Sequence, residues 1–239
     1  MRVPMLCYHR VEAAPAGAER DSNFVSVADF AAHMRLLASL GFHGVTVRQI
    51  ARWQRGELTL PKRAVAITFD DAYVSVLENA IPILDQYGWP STIFAVSSEL
   101  GGTNAWDESS PRAALMSAAT LRALAAAGHE IGSHTRHHRR IRGLDAAQAR
   151  DELSGSRHDL EAVLGLPVES FAFPYGSHDL RALEYVQRAG FQAAVTLKRW
   201  ANGPRGNPLR LGRMSVGGPL SSTRLALKLA KVVVTPARY

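Results

Sequence analysis

Gly88, Gly128, Gly165 and Gly190 each end a helical pattern and stand just ahead of a short apolar run. A helix that stops on glycine and hands over to a buried strand is the punctuation of a mostly parallel sheet, whose strands need crossover helices between them. The strand-like runs are residues 5–11, 64–69, 91–96, 129–133, 170–173, 191–196 and 209–216. The helical stretches are 27–40, 74–87, 119–127, 145–164 and 179–189. In the first, Phe30, Met34 and Leu37 recur at helical spacing between Ser26 as N-cap and Gly41 as stop. Strands and helices in this alternation predict an α/β fold, an incomplete (β/α) barrel rather than an open doubly wound sheet. No Gly-x-Gly-x-x-Gly follows the first run, which argues against a dinucleotide fold. Barrels of this kind run to about 250 residues, so one catalytic domain is expected over residues 1–239. Residues 12–25 and 97–117 read as long loops, a length often associated with lids.

Cys7 is the only cysteine, which fits a reducing compartment. The first apolar stretch is broken by Pro4 and ends at His9, short of the roughly 7–15 residues of a signal core. No run approaches the ~18 apolar residues of a membrane span. The expected location is cytoplasmic. The net charge of +7 favours anionic partners, although no nucleic-acid-binding motif accompanies it. Arg136, Arg139, Arg140 and Arg142 form the densest basic group. They read either as a solvated loop or as a positive rim on a site for an anionic substrate.

Residues with chemistry gather where these strands end, the catalytic end of a parallel barrel. Asp70 and Asp71 end the run 64–69, His134 ends 129–133, Pro174, Tyr175 and Gly176 end 170–173, and His9 lies near the end of the first run. Alone, an Asp-Asp pair is a common helix cap. Together, one carboxylate can bind a cation while its neighbour accepts a proton. On a helical turn, His134 and His138 would share a face suited to metal capture, with His137 turned away and His129 left as a strand residue. Asp71, His134 and His138 leave a coordination position open. A mixed nitrogen and oxygen set suits zinc, and also cobalt, nickel or iron.

Thr68-Phe69-Asp70-Asp71, His134-Thr135-Arg136-His137-His138 and Phe173-Pro174-Tyr175-Gly176 resemble the first three signatures of the NodB-homology polysaccharide deacetylases, carbohydrate esterase family four. The resemblance spans roughly residues 4–216. It implies a metal-dependent N-deacetylase on a distorted (β/α)7 barrel. Asp70 would be the base, Asp71, His134 and His138 the metal ligands, and the Tyr175 backbone N–H an oxyanion donor. Two family features are missing. Ala172 stands where an arginine usually pairs with the base, and no histidine follows His178 to carry the acid. For the fourth motif only Trp200 offers itself. Leu6-Cys7-Tyr8-His9-Arg10-Val11 resembles the N-terminal Tyr-His element of the poly-N-acetylglucosamine deacetylases, which makes His9 the expected acid. Arg213 is the expected substitute for the arginine.

The implied substrate is an N-acetylated amino sugar, in a glycan or in a lipid-linked or nucleotide-linked precursor. Alternatives are an amidase or deformylase of the same fold on a non-glycan or lipid, and a glycan-binding relative without catalysis. A C-terminal amphipathic helix is expected at about 220–234. Its Leu225, Leu227, Leu229 and Val232 to Val234 oppose Arg224, Lys228 and Lys231. It would either pack on the barrel or lie against an acidic membrane surface.

Overall fold

A computed structural model describes residues 1–18 and 21–234. The strands are β1 (Met5–Tyr8), β2 (Arg10–Val11), β3 (Phe24–Val25), β4 (His43–Val45), β5 (Ala64–Phe69), β6 (Thr92–Ala95), β7 (Glu130–Ser133), β8 (Ser170–Ala172), β9 (Ala193–Val195) and β10 (Met214–Ser215). The helices are α1 (Val27–Ser39), α2 (Val47–Gln54), α3 (Ile81–Asp85), α4 (Ala118–Ala126), α5 (Ala146–Arg150), α6 (Ser156–Leu164), α7 (Leu180–Arg188) and α8 (Ser222–Val234). The main sheet runs β10-β1-β5-β6-β7-β8-β9, with β4 added on β5. Every pairing in it is parallel, as the glycine-stopped helices predict. The sheet curls until its last segment reaches both edges: Leu211 bridges Val195, while Met214 pairs with Leu6. This is the distorted seven-stranded barrel.

Alternation along the strands sorts the side chains. Val65, Ile67 and Phe69 of β5 pack outward under the helices, with Leu6 and Tyr8 of β1. Met5, Ala64, Ala66, Phe94, Ala172, Ala193 and Val195 fill the barrel interior. The period of two therefore carries Cys7 and His9, and Thr68 and Asp70, to the interior at the C-terminal end. Gly132 makes room inside: a Cβ there would lie 2.6 Å from the Phe94 ring and 2.9 Å from the Ser170 carbonyl oxygen. At the opposite end, buried Glu130 accepts hydrogen bonds from the Thr92 and Ser170 hydroxyls (2.8 and 2.6 Å) and from the Arg48 N–H (2.9 Å).

Several elements differ from the sequence reading. Strand β4 and helix α2 lie in a stretch with no helical or strand expectation. Thr46 and Gln49 close a capping box that starts α2. The expected helices at 74–87 and 145–164 each contain a π-helical turn, at Val76–Ala80 and Asp151–Gly155. The run at 209–216 is mostly not strand, and its first residues form the 3-10 turn Pro208–Arg210. In α8, Leu225, Leu229 and Val232 are buried in the core and Leu227 is exposed. Among the described side chains of this helix, Leu227 is the exposed large apolar one. The side chain of Val234 and residues 235–239 lie outside the described residues. No described helix is long and apolar enough to cross a membrane.

Candidate active site

Asp70 and Asp71 follow β5 on a sharp reversal. Asp70 stays in register through its N–H to the Tyr8 carbonyl (3.0 Å), whereas Asp71 and Ala72 take positive φ of 70° and 58°. The other non-glycine residues with positive φ among those described are Thr135, His138 and Tyr175. Four of the five lie in the three signature segments and Ala72 directly follows the first; such conformations cost about 1–3 kcal/mol each unless the surroundings impose them.

The strain brings three ligand atoms to one point. Asp71 Oδ1 lies 3.5 Å from His134 Nε2 and 3.3 Å from His138 Nε2. Both separations match the edge of a tetrahedron whose corners lie about 2.0–2.2 Å from its centre, the bond lengths zinc would take, and all three ligand atoms lie within 4.8 Å of one another. All three residues are buried, and Asp71 Oδ1 has no hydrogen-bond partner among the described residues. His134 donates from Nδ1 to the Ala172 carbonyl (2.8 Å), so its Nε2 lone pair faces the other two. Burial holds the His134 pKa down at about 4 against the pull of Asp70, which keeps the ring neutral. Asp71 remains ionised: burial pushes its pKa up, but His138 and His134 outweigh burial and the net shift is downward. A divalent cation fits this set.

Asp70 lies beside it. Arg213, fully buried, grips both carboxylate oxygens in a fork, Nη1 to Oδ1 at 2.6 Å and Nη2 to Oδ2 at 2.9 Å. Oδ2 also accepts from the Cys7 thiol at 3.4 Å and lies 4.0 Å from both His134 Nε2 and His9 Nε2. Burial raises the Asp70 pKa, but Arg213 and the nearby histidines carry it well below the usual carboxylate range. Burial pushes the Cys7 thiol well above its ordinary value, so it serves as a neutral donor. Tyr8 of the Tyr-His element faces outward and is structural. Its hydroxyl bonds His33 Nδ1 at 3.2 Å, and His33 Nε2 donates to the Leu220 carbonyl at 2.6 Å.

Tyr175 is half exposed at φ 59° in the turn Pro174–Gly176. Its ring meets His138 edge to face at 4.9 Å, and Trp106 stacks on His138 at 4.7 Å. His138 Nδ1 is buried without a hydrogen-bond partner among the described residues. Two aromatic rings pack against this imidazole while its Nε2 faces Asp71.

A family model described as polysaccharide deacetylase matches residues 57–194. This chain belongs to the polysaccharide deacetylase family. It is 25% identical over 195 residues to YxkH of Bacillus subtilis (strain 168), which is named for the same activity; the match covers 82% of this chain but 64% of that protein. The chain thus spans under two thirds of that relative. It is 26% identical over 238 residues to a poly-β-1,6-N-acetyl-D-glucosamine N-deacetylase of Staphylococcus epidermidis, covering 91% of this chain and 80% of that one. Among solved structures, IcaB from Ammonifex degensii superposes with a TM-score of 0.80 at 26% identity, over 95% of this chain and 96% of that chain. The Streptococcus pyogenes deacetylase PplD, solved with acetate, has the same fold: TM-score 0.83 at 18% identity, over 95% and 98% of the two chains.

In this family member His134 and His138 are not on a helix. The segment between them is an irregular turn with positive φ at Thr135 and His138, so the two rings converge by a loop reversal and not by helical spacing. Its organiser, Glu152, had no sequence signal beyond lying on a helical stretch. This buried carboxylate comes from the π-helical turn and accepts from Arg136 N–H (3.0 Å), His137 N–H (2.9 Å) and His137 Nδ1 (3.0 Å). Arg136 is not part of a free rim, since its guanidinium bonds Asp159 through Nε and Nη2, both at 2.9 Å, and Asp151 at 2.6 Å. Trp200 packs against Gly212, and Trp106 is the tryptophan at the site. The loop at 97–117 is a wall more than a lid: Arg10 bonds the Pro111 carbonyl (2.9 Å), Asn104 accepts from Ala113 N–H (2.8 Å), and Met116 N–H bonds the Ala72 carbonyl (2.8 Å).

Proposed function

We propose that this chain is a metal-dependent N-deacetylase acting on an amino sugar of a glycan, with Asp71, His134 and His138 holding a divalent cation, zinc by preference. The convergence of those three ligand atoms on one point beside the Asp70–Arg213 pair carries the reading. The match to the Staphylococcus epidermidis N-deacetylase over most of both chains supports an N-acetylglucosamine glycan as substrate. Bound there, the cation would supply Lewis acidity toward the acyl oxygen and make a neighbouring water more acidic.

The remaining work falls to the chain. Asp70 accepts the proton of the attacking water through Oδ2, the oxygen that faces His134 and His9. Arg213 holds Asp70 ionised and fixes its plane. The Tyr175 N–H stabilises the oxyanion that develops on the acyl carbon's oxygen. His9, whose Nε2 lies 4.0 Å from Asp70 Oδ2, donates a proton to the departing nitrogen as the carbon–nitrogen bond breaks. Acetate and a free amine are the products.

Acetate release from chitotetraose by zinc-loaded wild-type protein and by Asp70→Asn tests this. The variant should keep its zinc, measured by elemental analysis, and lose about 10³-fold or more in rate. Wild-type turnover in the variant would refute the assignment of the base.

A further inference from the structure

The rim of the site is electrostatically lopsided. Beyond β7 stand Arg139 and Arg140, and beyond β9 stand Lys198, Arg199 and then Arg210. Leu197 packs under Gly176, which places the segment after β9 against the Pro174–Gly176 turn. The fields of Lys198 and Arg210 both reach His178 just past that turn. On the β6 side the loop at 97–117 carries Glu99, Asp107 and Glu108 with Arg112; Asp107, whose carboxylate accepts from Ser109, also reaches Tyr175 with its field, opposing that of Arg140. Arg140 is the pivot of the basic side. Its guanidinium lies 3.7 Å above the Tyr175 ring, and Tyr175 in turn touches His138. Among the described residues neither Arg139 nor Arg140 is paired with a carboxylate, while Arg142 has Asp179 only at 3.9 Å. Arg210 adds a buried Nε without a hydrogen-bond partner.

A guanidinium laid flat on an aromatic ring loses little mobility when its edge then binds an anion, and its fork matches carboxylate and phosphate oxygens. The product of deacetylation is an amine, which becomes cationic. A basic rim repels it, and it repels equally a polymer already rich in free amines. Resting on the deacetylase reading above, we propose that the substrate is an anionic glycan: its acetamido sugar carries or adjoins a carboxylate or phosphate, received by Arg140 on the Tyr175 side of the site.

Isothermal titration of the zinc-loaded protein with two matched pairs tests this. Hyaluronan tetrasaccharide against chitotetraose reads the carboxylate. N-acetylglucosamine 1-phosphate against methyl N-acetylglucosaminide reads the phosphate. In at least one pair the anionic member should bind about tenfold more tightly at low salt, and the gap should shrink at about 0.5 M salt. Arg140→Ala should remove the preference, and Arg140→Lys should restore only part of it, because the ammonium keeps the charge without the fork. Equal binding within both pairs, or a preference that Arg140→Ala leaves intact, overturns the proposal. Its failure is separable from that of the deacetylase reading, because acetate release from every probe can be absent while the binding difference stands, and the reverse.

Discussion

In the proposed reaction Asp70 must do two things that pull apart: remain ionised in a buried site, and take up a proton. Arg213 secures the first with a two-pronged grip and sets the difficulty of the second. Replacing Arg213 by Lys keeps a cation but loses the fork, so the Asp70 pKa should rise toward the ordinary carboxylate value. The acidic limb of the pH–rate profile should then move to higher pH, with a lower maximal rate. An unmoved limb would mean that another group sets it. Arg213→Ala should be costlier, about 3–5 kcal/mol in urea unfolding, since it leaves a buried carboxylate unpaired. At this scale the motifs name Asp70, Asp71, His134 and His138 from the chain alone. Arg213 can be named from the chain only through the vacancy at Ala172 and its place late in the last run; its contact with Asp70 spans 143 positions and depends on how the barrel closes. Cys7 is legible in principle, two residues before His9 on one strand face, yet its tie to Asp70 needs the β1–β5 register.

The turn carrying His134 to His138 shows what a motif leaves out. The spacing suggests a helix, but the geometry is a strained loop whose N–H groups are gathered by a carboxylate from another element. Glu152 supplies that carboxylate because the π-helical turn shifts the register of the helical run between α5 and α6. Such turns recur at functional sites. Glu152→Gln keeps the shape but turns an ionic acceptor of three N–H groups into a neutral amide. Zinc affinity should fall about 10- to 100-fold, as for other supports of metal ligands, with far-ultraviolet circular dichroism unchanged. Chelator competition measures this, and wild-type affinity in the variant would show the turn to be self-supporting. Within β7, Gly132→Ala meets the Phe94 ring and a backbone carbonyl, neither free to move. Unfolding free energy should drop by about 1–3 kcal/mol, the usual cost of overpacking.

Across the whole molecule, the alternation of helix, glycine and apolar run was enough to read a parallel barrel. It leaves out β4, only three residues long, and α2, whose Val47, Ile50 and Ala51 do stand at helical spacing but within a helix of only eight residues. The same architecture should make the protein sensitive to acid. Burial lowers the pKa of His33, His129, His134 and His178. Each takes up its proton later in the folded chain than in the unfolded one, so the stability it contributes is complete above about 6.5 and drains away as pH falls; for His134 the window ends at about 4. Asp70 and Asp71, with net lowered pKa values, add a second loss below the ordinary carboxylate range near ~3.9. The melting temperature of metal-free protein should therefore fall steadily between pH 7 and 4, and a flat or rising curve would contradict this.

The central claim is that one cation, held by Asp71, His134 and His138, turns this barrel into a deacetylase. Stripping the protein with chelator and following acetate release while zinc is returned tests it most directly. Activity should be absent at the start, rise in proportion to zinc, and level off at one equivalent per chain, with His138→Ala showing no such rise. Full acetate release from the stripped protein, or none at any zinc level, would contradict the account.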